Sequence, residues 1–524
     1  MGNKGMAAGD KDKPGLKWWE VCALAGIVVL GGWLRMSRLD LMEFRADQAE
    51  WHRLAVEQAS GRIQLVGTVS SVGMQNPAMT VYLFSIPAVF SRDPVSLAYV
   101  PALCGTAAIA VGYFLARMWM SRPAALAAML LFAVSPWATL MSRKIWAQDL
   151  LVFFVTCFFF FAVRWVKRGG GANIVAALFF LSVANQIHYS TPTLLPLVLV
   201  LMFWKREKAN VRAWVTGLAL YAVLWAPFVV FILRGGLDGS QYVGHGPTGG
   251  YLGSLARAAA WHVQLLWHGR FDSAADPWGI WRLNVDGPEL LLTPVFALLF
   301  AGGVAATIRR AKEQRDLWLL LAWVALPSVI LSFAVIEFHY LVTCWPGTFL
   351  MVGILVDATG RWAKGRMPRY GAARFLTIGA VFLVLLAAEG ALFFHRFLSE
   401  VSTDGGTHGD YAISYREKLR VARYLVNRFP AQDFTLMDFT SERREESTYE
   451  YLYHFAGGRG KVLPLNVKHY QLWSPAYVLV MGDAESGISR KSTILEYARA
   501  TSIGPLRLEE YVPAGEGTSN EEAN

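Results

Sequence analysis

Apolar residues in this chain fall into long runs separated by short charged connectors. The runs cover residues 18–34, 95–116, 123–141, 150–166, 173–189, 191–204, 213–233, 289–308, 317–336, 339–357 and 372–394. A run near 20 residues, rising about 1.5 Å per residue, crosses a hydrocarbon core of about 30 Å as a helix. The pattern therefore predicts about eleven spans, up to thirteen if shorter segments also cross. Residues 77–90 are apolar but reach only about 21 Å as a helix, so they read as interfacial or re-entrant. If they span, the alternation of sides shifts, and the short run 191–204 is the next to question.

Past residue 398 the pattern changes. Helical spacing covers 415–428 and 445–455, and strand-like alternation covers 433–439 and 476–481, which predicts a small α/β domain. The expected organisation is an N-terminal tail (1–17) and a membrane domain (18–398) with outer loops at 35–94 and 234–287. An α/β domain (399–514) and a Gly/Ser/Glu-rich disordered tail (515–524) complete it. Neither a solenoid repeat nor an inverted repeat is visible.

Composition agrees with lipid as the solvent. The chain is 54% hydrophobic and 17% charged, against about 45–50% and 25% in soluble proteins. A net charge of +10 would point to nucleic acid in a soluble protein, but here the cations lie between spans and no such partner is expected. Arg117/Arg122, Arg164/Lys167/Arg168, Lys205/Arg206/Lys208/Arg212, Arg309/Arg310/Lys312/Arg315 and Arg361/Lys364/Arg366/Arg369 form one basic set of connectors. The connectors around His188 and Glu337 are not basic. By the positive-inside rule the basic set is cytoplasmic, with the N-terminus inside and the C-terminal domain outside. Loops 142–149, 187–190 and 337–340 then share the outer side with 35–94 and 234–287.

The first run lacks a small-residue cleavage site before Arg35 and reads as a retained span. Met6 breaks the myristoylation pattern that Met1-Gly2 begins. Cys22, Cys104, Cys157 and Cys344 lie inside the runs with no CxxC, so no disulfide framework or zinc motif is expected.

The outer loops carry the polar chemistry. Glu43-Phe44-Arg45-Ala46-Asp47-Gln48-Ala49-Glu50-Trp51 has helical spacing, placing Asp47 and Glu50 on one face. Such a pair at the membrane surface suits deprotonation of an acceptor hydroxyl; an amphipathic surface helix with ordinary ion pairs fits as well. In Ser142-Arg143-Lys144-Ile145-Trp146-Ala147-Gln148-Asp149 two cations stand on the outer side against the charge bias. A lipid phosphate is the natural anion there, although snorkelling or pairing with Asp149 would also satisfy them.

His188-Tyr189 and His339-Tyr340 each mark an outer helix end, and Gln75-Asn76-Pro77 closes the first loop; interfacial anchoring explains His-Tyr pairs as readily as catalysis does. The long loop is dense in Trp, His and Arg, including Arg270 and Arg282, a composition suited to stacking on sugars or to docking at the interface. With no P-loop, GxSxG, HExxH or EF-hand pattern, ATP or a cytosolic nucleotide-sugar is not the expected substrate.

On these residues the chain resembles the GT-C superfamily of polyprenyl-phosphate-sugar glycosyltransferases, in the branch of the protein O-mannosyltransferases and the lipid A aminoarabinose transferase. Asp47-x-x-Glu50-Trp51 is similar to the family's acidic first-loop motif, and Gln75-Asn76-Pro77 to its downstream polar-Pro element. Ser142-Arg143 with Asp149 looks like its Ser-Arg-x(4 or 5)-Asp turn, here with five residues between Arg143 and Asp149. His339-Tyr340 with Pro346 and Gly353 looks like the HYxxxxxP element, while Asp410-Tyr411 and Ser414-Tyr415-Arg416 resemble the start of the extracytoplasmic tail. One departure is that the family's two adjacent acids are here Asp47 and Gln48.

The resemblance implies a GT-C-like fold in a bacterial inner or plasma membrane. It also implies inverting transfer from a polyprenyl-phosphate-linked sugar to a hydroxyl of a protein, lipid A, glycan or other lipid at the outer face. Asp47 and Glu50 would be catalytic, with Asp47 as general base. Arg143, Lys144, Asp149, Asn76, His188, Tyr189, His339, Tyr340, Arg270 and Arg282 would bind substrate or carrier phosphate. No cofactor is expected, and a divalent metal is left open. Ligation or polymerisation of lipid-linked glycans fits the same motifs. A transporter or flippase would instead line a path with mid-span ionisable residues, of which Glu389 is the main instance.

Overall fold

The computed structural model describes residues 15–70, 73–204, 210–236, 250–266, 293–334, 336–406, 411, 413–438, 446–463, 477–481 and 495–513. Each apolar run folds as helix. In chain order the membrane domain contains α1 (Trp18–Met36), α2 (Ala46–Ala59), α3 (Met79–Ala88), α4 (Pro94–Ala116), α5 (Arg122–Val134), α6 (Pro136–Leu140), α7 (Leu151–Arg168), α8 (Gly171–Ile187) and α9 (Pro196–Trp204). It continues with α10 (Val211–Leu224), α11 (Ala226–Leu233), α12 (Gly250–Leu266), α13 (Thr293–Ala311), α14 (Trp318–Leu331), α15 (Trp345–Arg366) and α16 (Arg369–Asp404). A two-stranded hairpin, β1 (Val66–Val69) and β2 (Gln75–Pro77), closes the first loop.

Among the described residues six helices are long and apolar enough to cross a bilayer, seven if α10 and α11, bent by 50° at Trp225, make one crossing. Other predicted runs are shorter as helices, for local reasons. Run 123–141 stops at Val134, where Pro136 cannot continue the ladder and Ser135 instead caps α6 by accepting a hydrogen bond from Ala138 N–H. Segment 77–90 is the ten-residue helix α3, about 15 Å long and too short to span.

The bundle core forms where α1 packs on α4 and α5, α4 on α7, α7 on α8, and α15 on α5 and α13. Close approach depends on particular glycines: a Cβ at Gly105 would lie 2.5 Å from Ser142 Oγ and 2.9 Å from Arg35 Nε. The 36-residue helix α16 leaves Phe382, Val384 and Leu385 exposed, a face that lipid covers in a membrane protein.

Two buried arginines tie together the end of the bundle that carries the first loop. Arg35, in the last turn of α1, donates to the carbonyls of Gly31 (3.1 Å), Ala133 (2.7 Å) and Phe132 (3.3 Å). Arg143 donates to the carbonyls of Leu34 (2.7 Å), Arg35 (3.1 Å), Ser37 (2.7 Å) and Arg38 (3.0 Å). These include carbonyls at the C-terminal ends of α1 and α5, which have no intrahelical donor. The geometry thus corrects the expectation that Arg143 binds phosphate: the side chain is 2% exposed, with both terminal nitrogens committed to backbone oxygens.

After α16 the chain forms α17 (Tyr415–Arg428), β3 (Phe434–Asp438), α18 (Glu446–Phe455), β4 (Val462–Leu463), β5 (Tyr477–Met481), β6 (Leu495–Ile503) and β7 (Leu506–Pro513). The sheet order is β4-β3-β5-β7-β6, with β3 parallel to both neighbours and β7 antiparallel to both of its own. Val421, Leu425, Phe434, Tyr449 and Leu508 are among its buried core. Residues 515–524, expected to be disordered, lie outside the described residues.

This tail unit is stitched to the first loop. Glu43 and Ser414 form an antiparallel bridge, Tyr415 N–H donates to Met42 O (2.9 Å), Tyr411 O–H to Leu41 O (2.6 Å), and Lys418 Nζ to Phe44 O (2.7 Å).

Arg143→Ala removes the side-chain donor from four backbone carbonyls, leaving the buried Leu34 and Arg35 carbonyls without it, and is expected to cost about 3 kcal/mol. Thermal unfolding in detergent should show a clearly lowered Tm, and Arg143→Lys should not restore it, because an ammonium cannot reproduce the planar fork.

Candidate active site

The site forms where the first loop, the turn 141–150 and the segments at 188 and 339 meet. Arg45 caps α2, its N–H donating to Gln48 Oε1 at 2.9 Å. This sets Asp47 in the first turn of α2. Opposite, the short connector between α6 and α7 aims Lys144 at Glu43. The Nζ to Oε2 distance is 2.9 Å, and both side chains are nearly inaccessible to solvent. Arg45 Nε meets the other Glu43 oxygen at 2.5 Å. Burial alone would raise the Glu43 carboxyl, but the two cations outweigh it and hold its pKa at about 2.

Lys144 Nζ also lies 4.1 Å from the centroid of Trp146, and the Trp146 side chain hydrogen-bonds the Asp47 carboxylate. The Trp146 and His339 rings lie tilted 4.7 Å apart, His339 meets Tyr340 edge-on at 4.4 Å, and His188 lies 5.2 Å from Tyr340 and 6.5 Å from His339. Asp149 is fully buried, within electrostatic reach of Lys144 and Glu43.

Asp47 stands at the mouth of this recess, open to solvent on one side and walled by protein on the others. Burial pushes its pKa above the ordinary carboxylate value and the nearby Glu43 charge adds to this, while Lys144, the Trp146 hydrogen bond and Arg45 pull it back. A raised, solvent-reachable carboxylate is suited to accepting a proton. Burial lowers His188 to about 4, so it is neutral at pH 7 and offers hydrogen bonds rather than charge.

The other predicted residues are placed as follows. Glu50 shares α2 with Asp47 but forms a fork with Arg53 at 2.6 and 2.8 Å, so the acid that acts electrostatically on Asp47 is Glu43, not Glu50. Asn76 Nδ2 donates to Thr68 O at 2.9 Å and pins the hairpin. Tyr189 O–H donates to Gln75 O, binding α8's end to that hairpin. Arg270 and Arg282 lie outside the described residues. Sequence reasoning passed over Glu43 and Trp146, although both stand inside the stretches that were singled out. A tryptophan between Lys144 and Asp149 was the available signal. Among the described residues no three His, Cys, Asp or Glu side chains are placed to hold a metal ion.

The fold is that of a polytopic membrane protein and matches the GT-C glycosyltransferase fold. No protein-family model matches the sequence, and no curated protein does; the likeness is to solved structures. ArnT from Cupriavidus metallidurans bound to undecaprenyl phosphate aligns with a TM-score of 0.58 at 13% identity, covering 96% of this chain and 99% of that one. The oligosaccharyltransferase AglB from Archaeoglobus fulgidus, in complex with an inhibitory peptide and a dolichol-phosphate, gives 0.51 at 14% identity, over 88% of this chain and 69% of that one. At such identity the likeness is one of fold, and it bears out the GT-C expectation.

The α2 helix of the site is also clamped to the tail. His52 Nε2 meets Arg92 O at 2.8 Å and Nδ1 meets Tyr451 Oη at 2.5 Å, an arrangement in which neutral His52 donates to the carbonyl and accepts from the tyrosine. Burial lowers its pKa from 6.5 to about 4. The unfolded chain therefore takes up this proton first, and stability present above pH 6.5 is lost as pH falls toward 4. For Glu43 the corresponding window runs from 4.5 down to about 2. Tm measured against pH should fall through both windows, and His52→Gln should flatten the upper one while leaving the lower in place.

Proposed function

We propose that this protein transfers a sugar from a polyprenyl-phosphate carrier to an acceptor hydroxyl at the outer face of the membrane, with inversion. The observation that carries this reading is the Asp47 carboxylate, solvent-reachable and raised above its ordinary pKa, at the mouth of a recess in a GT-C fold. The solved structure with undecaprenyl phosphate supports the choice of carrier.

In the proposed step Asp47 takes the acceptor's O–H proton. The acceptor oxygen attacks the anomeric carbon from one face as the bond from that carbon to the phosphate oxygen breaks on the other. Polyprenyl phosphate leaves with the electron pair. Lys144, which has three N–H donors and gives one to Glu43, supplies positive charge, while His188, His339 and Tyr340 supply ring surface and hydrogen bonds to the sugar or phosphate. Glu50 has no part in the step, and Arg143 acts through the backbone. Ligation of a preassembled oligosaccharide is the second reading, favoured by the fold match to AglB.

For topology we place the basic helix ends in the cytoplasm, with the N-terminus, and the carboxylate recess and tail unit outside. The shorter helices complete a count of about eleven crossings. In a cysteine-free background, Glu400→Cys, exposed near the end of α16, should label from the outer side only; labelling from inside overturns the orientation.

Asp47→Asn should lower transfer from a polyprenyl-phosphate sugar in proteoliposomes by about 10²-fold or more, with Tm unchanged; near wild-type turnover would remove Asp47 as the base. The pH profile tests its surroundings. Because Glu43 raises the Asp47 pKa and Lys144 lowers it, Glu43→Gln should move the acid limb of kcat/KM to lower pH, and Lys144→Met should move it to higher pH.

A further inference from the structure

At the end of the bundle opposite the carboxylate recess, between the termini of α1, α4, α5 and α7, lies a cavity of about 860 Å³. The two are separated by the length of α1, 19 residues or about 28 Å, close to the thickness of a bilayer core. None of the residues used in the proposed transfer lines the cavity.

Six cations line it, Lys17, Arg117, Arg122, Arg164, Lys167 and Arg168, against a single carboxylate, Glu20. Glu20 is 1% exposed and accepts from the Tyr113 hydroxyl, from Arg117 Nε (3.2 Å) and from Arg122 Nε (2.8 Å). It acts as a strut that holds two guanidinium groups at the cavity wall. Lys167 pairs with Asp316 at 3.0 Å. That leaves Arg164 and Arg168 with no ion pair among the described residues, and Arg164 Nε is buried without a hydrogen-bond partner among them. Arg164, partly buried and without a counter-charge among the described residues, with Arg168 beside it at the rim, is a position that an entering anion would stabilise.

The remaining wall identifies the kind of anion. Trp19, Phe114 and Met118 contribute apolar surface, and Trp19 and Phe114 continue onto the exposed face of the bundle, where a membrane protein meets acyl chains. A site with guanidinium groups inside and aromatic surface at its lipid-facing edge suits an amphiphile with a phosphate head rather than a free ion.

We propose that this cavity binds the phosphodiester headgroup of an anionic phospholipid, on the face of the membrane opposite the carboxylate recess. The headgroup bridges the ends of α4, α5 and α7 and neutralises Arg164 and Arg168, with its acyl chains running out past Phe114.

The test uses the full chain in detergent, with dioleoyl-phosphatidylglycerol as the probe and binding read by native mass spectrometry. Saturable, near-stoichiometric binding is expected, with dioleoyl-phosphatidylcholine binding much more weakly and millimolar inorganic phosphate failing to displace the lipid. Arg164→Gln and Arg168→Gln should each weaken binding about fivefold. Arg309→Gln with Arg366→Gln, which removes two exposed cations from other helix ends, should leave it unchanged. Equal weakening in that control overturns the proposal in favour of diffuse surface charge. Displacement by inorganic phosphate overturns it in favour of a free-phosphate site, and equal binding of the zwitterionic lipid removes the charge argument. If Arg164→Gln does not yield folded protein by size-exclusion profile and Tm, Arg168→Gln, at the exposed end of α7, decides alone.

Discussion

The ion pair between Glu43 and Lys144, 2.9 Å apart and nearly closed to solvent, is the contact on which the loop-bearing end of this molecule depends. An uncompensated buried charge costs about 3–5 kcal/mol, and Glu43 is the carboxylate that compensates Lys144, with Arg45 on its other oxygen. Each is therefore a constraint on where the other's loop lies. Through Glu43 the pair positions the start of α2 and so Asp47. Through Lys144 it positions Trp146, which contacts both Asp47 and His339. A change at either residue would move the electrostatics and the geometry of the recess together.

A second layer of constraint comes from outside the membrane domain. The segment around Ser414 adds a bridge to Glu43, Lys418 caps the Phe44 carbonyl, and Tyr451 holds His52. The tail unit is thus a clamp on the loop that carries Asp47. Beneath the loop, Arg35 and Arg143 hold helix-end carbonyls that have no intrahelical donor. Interior arginines serve here as backbone struts, and the rigidity they lend is what a site needs to hold its groups in place.

Much of this was legible in the chain. Apolar runs of span length marked the helices, because a backbone in lipid must satisfy its own hydrogen bonds. The helix Tyr415–Arg428 was readable from spacing alone. Asp47, Lys144, Asp149, His188 and His339 were all placed on one side by a charge argument, and the structure brings them into one recess. Arg143 and Glu50 show the limit. Both have the residue type a site would use, but whether the Arg143 guanidinium meets a phosphate or four carbonyls depends on atoms more than a hundred positions away, and residue type alone does not say that Glu50 turns to Arg53, three residues on.

What the sequence by itself determined is periodic or cumulative: lipid residence, helix positions, the alternation of basic connectors and the gathering of the polar groups at one end of the bundle. These follow from local properties summed along the chain. Only the tertiary structure decided which acid partners Lys144, that Trp146 bridges Asp47 and His339, and that Arg143 is a strut. Pairing of buried charges is settled by distance in three dimensions, and steeply so where water is excluded.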